Sequence, residues 1–185
     1  MSIVISVIDK NKKFYIASDK RGKRNGVIND NYKKIYPLSK NCYFGMTGTY
    51  EAGLDILNLI KKIEWNDRID LIKGSLLCFD SYCIDKKLQK MTMVIAGKDE
   101  EGFFILQRNI NGGKMDVKIS EGSKNIEYTL NASDSIDELK KHLEDKIISG
   151  QAIRDSIIET IKYASLHRER FWRPWLFQKP KTRAE

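Results

Sequence analysis

Apolar residues crowd the head of this chain. In Ser2-Ile-Val-Ile-Ser-Val-Ile8 five of seven positions are aliphatic, too continuous for a strand with one wet face, so a strand buried on both sides is expected over 2–9. A second β-rich run follows at 13–19, and the intervening Asp9-Lys-Asn-Lys12 has the turn chemistry of a hairpin. Residues 20–31 are polar and read as a loop. A short strand is expected around Lys34-Ile35-Tyr36, and another over Cys42-Tyr-Phe-Gly-Met-Thr47 that stops at Gly48.

The period then changes. Between 49 and 65, Gly53, Ile56, Leu57, Ile60 and Ile63 recur at helical spacing, and Ile69, Ile72, Leu76, Phe79 and Cys83 repeat the pattern, which predicts two amphipathic helices in succession. Strands are expected again at 91–96, 103–107 and 114–119, separated by turn-rich segments at 97–102 and 109–113. Ser135-Ile-Asp-Glu138 has the spacing of a capping box and opens a helix with Ile136, Leu139, Leu143 and Ile147 on one face. Gly150 separates it from a last stripe of Ile153, Ile157, Ile161 and Ala164. The aromatic segment 171–178 reads as an edge strand or a docking segment, because Pro174 has no N–H for a ladder.

Strands and helices thus come in blocks rather than as alternating crossovers. That order predicts an α+β architecture, a four-layer αββα sandwich of two facing antiparallel sheets covered by helices. One domain over 1–178 and a flexible basic tail at 179–185 are expected from a chain of 185 residues.

Charge changes this picture little. The net charge is +8, and half of it lies in residues 166–185; a second basic knot is Lys20-Arg21-Gly22-Lys23-Arg24. No nucleic-acid motif accompanies the charge, so it reads as solubilising, and a nucleic-acid partner is not expected. No apolar run is long enough for a signal core or a membrane span, which places the protein in the cytoplasm with no membrane role. Cys42, Cys78 and Cys83 lack the pairing of a metal knuckle, their odd number argues against a disulfide framework, and His142 and His167 lie in helical stretches as surface residues.

Chemistry enters with Ser2. Removal of Met1 would leave a hydroxyl and a free α-amine on one residue at the head of the first strand, a nucleophile carrying its own base. A serine hydroxyl attacks weakly until its proton is taken, and an α-amine with an ordinary pKa of about 7.7–8.0 can take it near neutral pH. A small second residue also serves merely to let the initiator methionine be clipped. Position alone leaves both readings open.

Downstream segments add a pattern: Ile16-Ala-Ser-Asp-Lys-Arg21 ends the second run, Lys33-Lys-Ile-Tyr36 opens the third, and Gly45-Met-Thr-Gly-Thr49 runs into a helix. Ser2 precedes Lys34 by 32 residues and Gly48 by 46. With Val94-Ile-Ala-Gly-Lys-Asp-Glu-Glu-Gly102 and Ser120-Glu-Gly-Ser-Lys124, the chain over residues 2–124 resembles the proteasome-type N-terminal nucleophile hydrolases, the group of the proteasome β-subunits and the bacterial heat-shock peptidase rings. That family spaces its nucleophile, lysine and oxyanion glycine at these intervals.

The resemblance implies a peptidase that works through an acyl-enzyme on Ser2, with no metal or organic cofactor. Lys34 would favour an oxyanion and help move the proton, and Asp19 would orient Lys34, with Arg21 in the same charged cluster; Asp19 also reads as a turn residue. Gly48 would offer its backbone N–H to the oxyanion. Ser123 would stand near the amine, although Gly-Ser pairs are common in turns. Tyr32, Met46 and Tyr50 would line a pocket for an apolar or aromatic side chain. The partners implied are peptide or unfolded protein substrates, a homo-oligomeric ring and an ATPase unfoldase. Two departures stand out: 166–171 carries Glu169 where the family has an Asp close to a Ser, and only 171–178 is available for the family's final strand pair. The same fold also suits a catalytically silent scaffold or binding subunit, and a ligase that passes the acyl group to an amine.

Overall fold

The computed structural model describes residues 3–11, 13–20, 22–24, 27–29, 31–121, 126–132 and 136–176, with only the backbone path in 22–24, 27–29 and 166–176. Its first strand, β1 (Ile3–Ile8), explains the rest. Every residue of β1 is buried, because each face of the strand meets a different core. Ile3, Ile5 and Val7 point toward Leu139, Leu143, Ile157 and Ala164, whereas Val4 and Ile8 point toward Val94, Ala96 and Ile105. Each fully buried aliphatic side chain contributes about 1.5–3 kcal/mol by leaving water, so this one strand is a large share of what holds the layers together.

β1 pairs antiparallel with β2 (Phe14–Ser18), through a hairpin in which the Asp9 carboxylate accepts from the backbone N–H groups of Asn11 and Lys13. The order along the chain continues with β3 (Gly22–Arg24), β4 (Val27–Asn29), β5 (Ile35–Ser39), β6 (Cys42–Thr47), α1 (Tyr50–Ile60), α2 (Arg68–Asp85), β7 (Lys90–Asp99), β8 (Gly102–Asn111), β9 (Lys114–Glu121), β10 (Glu127–Ala132), α3 (Ile136–Ile148) and α4 (Ile153–Leu176). Among the described residues one sheet has three strands in the order β10-β1-β2, and the facing sheet has five in the order β5-β6-β7-β8-β9; β3 and β4 pair separately. α3 and α4 cover the first sheet. α1 and α2 cover the second, where Ile56, Ile60, Leu71 and Phe79 pack on Phe44, Met93, Ile95 and Leu106. The layers are therefore α, β, β, α.

Three elements depart from the sequence expectation. Residues 20–31 are not all loop: β3 and β4 form a short hairpin, and Asn25-Gly26, a strong short-range hairpin dipeptide, lies between them in the sequence. β10 was not expected as a strand. Its alternation in Glu127-Tyr-Thr-Leu-Asn-Ala132 is satisfied by pairing with β1 across more than a hundred residues of chain, a long-range partner that local pattern does not reveal. Residues 171–176 continue α4 as helix rather than forming an aromatic strand. A strand there would need a ladder partner, whereas helix simply extends the preceding turns, and Pro174 falls near the helix end. Among the described residues, no helix is long and apolar enough to cross a membrane.

Candidate active site

Asp19 follows β2 directly, and the register of Val4 against Ser18 brings it beside the start of β1. One carboxylate oxygen, Oδ1, accepts from the Ile3 N–H at 2.8 Å and from the Lys34 ammonium at 2.6 Å. Asp19 thus fixes the backbone at the head of β1 and a lysine in a single bridge. Lys34 enters from the other sheet. It sits just before β5, its carbonyl accepts from the Met46 N–H at 3.2 Å, and its side chain is buried.

That burial has an electrostatic consequence. Removing an ammonium from water lowers the Lys34 pKa, and the opposing charge and hydrogen bond of Asp19 offset this only in part. The result is a cation held in place at the end of the sandwich, and one that releases its proton more readily than a surface lysine.

Gly48 joins β6 to α1 at a point that only glycine fits. Its φ is +112°, and a Cβ there would meet the Lys90 carbonyl oxygen at 3.0 Å and the Met91 Cα at 3.1 Å. Thr49 is the N-cap of α1 but makes no side-chain capping bond, and the helix dipole directs positive potential toward this turn. Lys34 and Gly48 are tied to the same strand, β6, two residues apart in their attachment.

The tyrosines form a second group beside the lysine. Tyr32 and Tyr50 stand with ring centroids 4.5 Å apart, tilted by 52°. Tyr36, which sequence reasoning did not single out, joins them: its hydroxyl donates to the Lys33 carbonyl at 2.9 Å and lies 3.0 Å from the Tyr50 hydroxyl. A phenol has one proton, so Tyr50 is the donor in the second bond. Burial pushes the Tyr36 pKa up. The available signal was the Tyr32-to-Tyr36 spacing across Lys34, which places two aromatic side chains around the lysine's attachment. Met46 belongs to the core against which Tyr36 and Tyr50 pack. It is 3% exposed, and its Sδ occupies the space where a side chain on Gly53 of α1 would begin, so the thioether packs helix against sheet within the core.

Ser2, Arg21 and Ser123 lie outside the described residues, as does the side chain of Glu169. Cys42 and Cys83 are buried free thiols, and burial pushes Cys42 up to about 12, far from thiolate chemistry. Among the described residues no three His, Cys, Asp or Glu side chains gather as metal ligands.

No protein-family model matches this sequence, and no curated protein matches it. Solved structures do match. Eukaryotic HslV from Trypanosoma brucei superposes with a TM-score of 0.60 at 12% identity, covering 86% of this chain and 88% of that one. A Gly-1 mutant of Anbu from Hyphomicrobium sp. strain MC1 superposes with a TM-score of 0.56 at 10% identity, covering 79% of this chain and 65%, less than two thirds, of that one. At such identities the likeness is one of fold.

Proposed function

We propose that this chain, which has the fold of the proteasome-type N-terminal nucleophile hydrolases, is a peptidase whose nucleophile is Ser2 once Met1 has been removed. The observation that carries the reading is the Asp19 bridge, which sets the Ile3 amide and the Lys34 ammonium on one carboxylate oxygen. A buried cation anchored to the residue after the nucleophile is what an oxyanion at that end of the strand requires.

The steps follow from the groups. The Ser2 hydroxyl oxygen attacks a substrate carbonyl carbon while its proton passes to the α-amine. The oxyanion is stabilised by the Gly48 N–H and by the field of Lys34. Collapse breaks the C–N bond, the departing amine takes the proton, and an ester remains on Ser2. Water, deprotonated by the same α-amine, then releases the acid. Ser123 assists at the amine, and Tyr32, Met46 and Tyr50 line the pocket for an apolar or aromatic side chain. Peptides or unfolded proteins are the substrates; the setting is cytoplasmic, a homo-oligomeric ring confines the sites, and an ATPase unfoldase feeds them. The chemistry calls for no metal or organic cofactor.

The test is direct. Intact mass of the purified protein should show loss of Met1, and a peptide-derived acylating inhibitor should add its mass at Ser2 in the wild type and not in Ser2→Ala. Retained Met1 with no labelling would make the chain a silent scaffold instead, and product capture by an added amine in place of water would make it a ligase.

A further inference from the structure

The two sheets are unequal, and the inequality leaves a site. Three described strands lie over five, and β10, the outermost described strand of the smaller sheet on that side, packs across from β8 and β9 with space along its free edge. A trough of about 770 Å³ occupies that space, walled by β10 and α3 on one side and by β7–β9 on the other. It reaches the candidate active site: Ala132, at its near end, pairs with Ile3, and Lys90, on its opposite wall, has the carbonyl that lies against Gly48.

Its walls contain polar atoms that the described residues leave without partners. Thr129 and Asn131 are each 3% exposed, and Thr129 Oγ1, Asn131 Nδ2 and Asn109 Oδ1 are buried with no hydrogen-bond partner among the described residues. Buried polar groups are almost always satisfied, and leaving one unpaired costs about 1–3 kcal/mol. Three orphans around one trough point to an occupant that supplies both acceptors and donors. Asn131 Nδ2 wants a carbonyl, and Asn109 Oδ1 wants an N–H. A polypeptide backbone offers the two in alternation. β10 is itself an edge strand, and its Tyr128 carbonyl is already reached from outside its sheet by the Lys118 ammonium at 3.2 Å.

Charge favours an acidic segment. Lys90, Lys118 and Lys140 line the trough against Asp116 and Glu144, whose hydrogen bonds from the neutral Asn109 amide and Tyr128 hydroxyl leave their charge in place, so the lining carries a net +1. We infer that the trough binds an extended, acidic polypeptide segment in trans, added to β10 as a fourth strand, with its backbone satisfying Asn109, Thr129 and Asn131.

The test uses full-length Ser2→Ala protein, so that peptide binding is read separately from acylation and either can fail alone. The probe is a fluorescein-labelled peptide of alternating valine and glutamate, six residues long like β10, with a valine–lysine peptide as control. Binding by anisotropy should favour the glutamate peptide, weaken roughly tenfold in Asn131→Leu and in the rim variant Lys140→Glu, and slow hydrogen exchange at the β10 amides. Lys140→Glu changes a half-buried wall residue and keeps the test valid if Asn131→Leu does not fold. No binding, equal binding of both peptides, or binding indifferent to Lys140→Glu would overturn the proposal. So would a concentration-dependent dimer in sedimentation that the same variants abolish, since a second copy would then fill the trough.

Discussion

Lys34 and Arg68 are both long cations taken out of water, 4% and 7% exposed, and each meets an aspartate. They are used in opposite ways. Arg68 opens α2 and grips both oxygens of Asp99, the Gly102 carbonyl at 3.1 Å and Glu121 at 3.2 Å, with its guanidinium over the Phe104 ring. Asp99, first of all by its hydrogen bonds, raises the already high Arg68 pKa, so this charge is permanent and serves to clamp a helix start to the ends of three strands. Lys34 instead meets an aspartate that it shares with the head of β1, and burial lowers its pKa. An arginine with five fixed donors suits a clamp. A lysine whose proton has been loosened suits a place where protons move. The contrast separates the structural end of the sandwich from the end proposed to carry the chemistry, and substitutions can test it.

The largest effect belongs to Lys34→Ala. Loss of a group used in the transition state should lower the rate of Ser2 acylation by roughly 10²–10⁴-fold, read by stopped-flow with an acylating reporter, while circular dichroism stays native. Normal acylation in this variant would break the comparison at once. Next comes Arg68→Met, which leaves Asp99 without its cation and should lower unfolding free energy by about 3 kcal/mol in urea titrations while leaving acylation within about twofold. If Arg68→Met slows acylation as Lys34→Ala does, the two ends are not separate.

How much of this contrast was legible beforehand differs by level. β1 and the four helices were, because their apolar spacing is dense and local. β10 was not, since its only reason to be a strand is a partner at the far end of the sequence. The β3–β4 hairpin was hidden because charge dominates 20–31. The family resemblance suggested Lys34 and Asp19 as companions, but burial of the lysine and the shared bond to the Ile3 amide depend on how two sheets close over one another. Met46 is a further case: its place beside Gly45 and Thr47 was legible, but the space that Gly53 on α1 vacates for its thioether depends on how helix and sheet pack. The trough could not be read at all, because strand counts per sheet are a property of pairing.

Gly48→Ala sharpens the chemical end. A side chain at φ +112° with a backbone carbonyl 3.0 Å from its Cβ is strained by about 1–3 kcal/mol, and the turn should relax by moving its N–H. Acylation should therefore fall further than stability does. Proportionate loss of both would make Gly48 a turn residue only.

The two pairs should also respond to opposite ends of the pH scale. The Asp99 pKa is lowered by its bonds to Arg68, so the clamp's contribution is present above the ordinary value of 3.8 and disappears as pH falls through the lower folded value. Lys34 is the reverse case. Its folded pKa lies below 10.5, so wherever both states hold the proton the folded state carries the burial penalty. As pH rises toward 10.5 the folded state releases its proton first, and stability should rise relative to Lys34→Met in denaturant titrations from neutrality upward. Over the same window acylation should fall, as the cation facing the oxyanion is lost.

Tyr36→Phe is the smallest and most discriminating change. Its hydroxyl holds the Lys33 carbonyl on one side and receives the Tyr50 proton on the other, so it sits between the backbone that carries Lys34 and the ring that faces Tyr32. If Asp19 alone sets the lysine, removing the hydroxyl frees only Tyr50, and KM for an aromatic reporter should rise about three- to fivefold with kcat unchanged, the equivalent of one ordinary hydrogen bond. If the Lys33 carbonyl bond also positions the lysine, kcat should fall instead. The split between the two constants decides whether the tyrosine group belongs to substrate recognition or to the ion pair, and hence where the chemical end of the molecule stops.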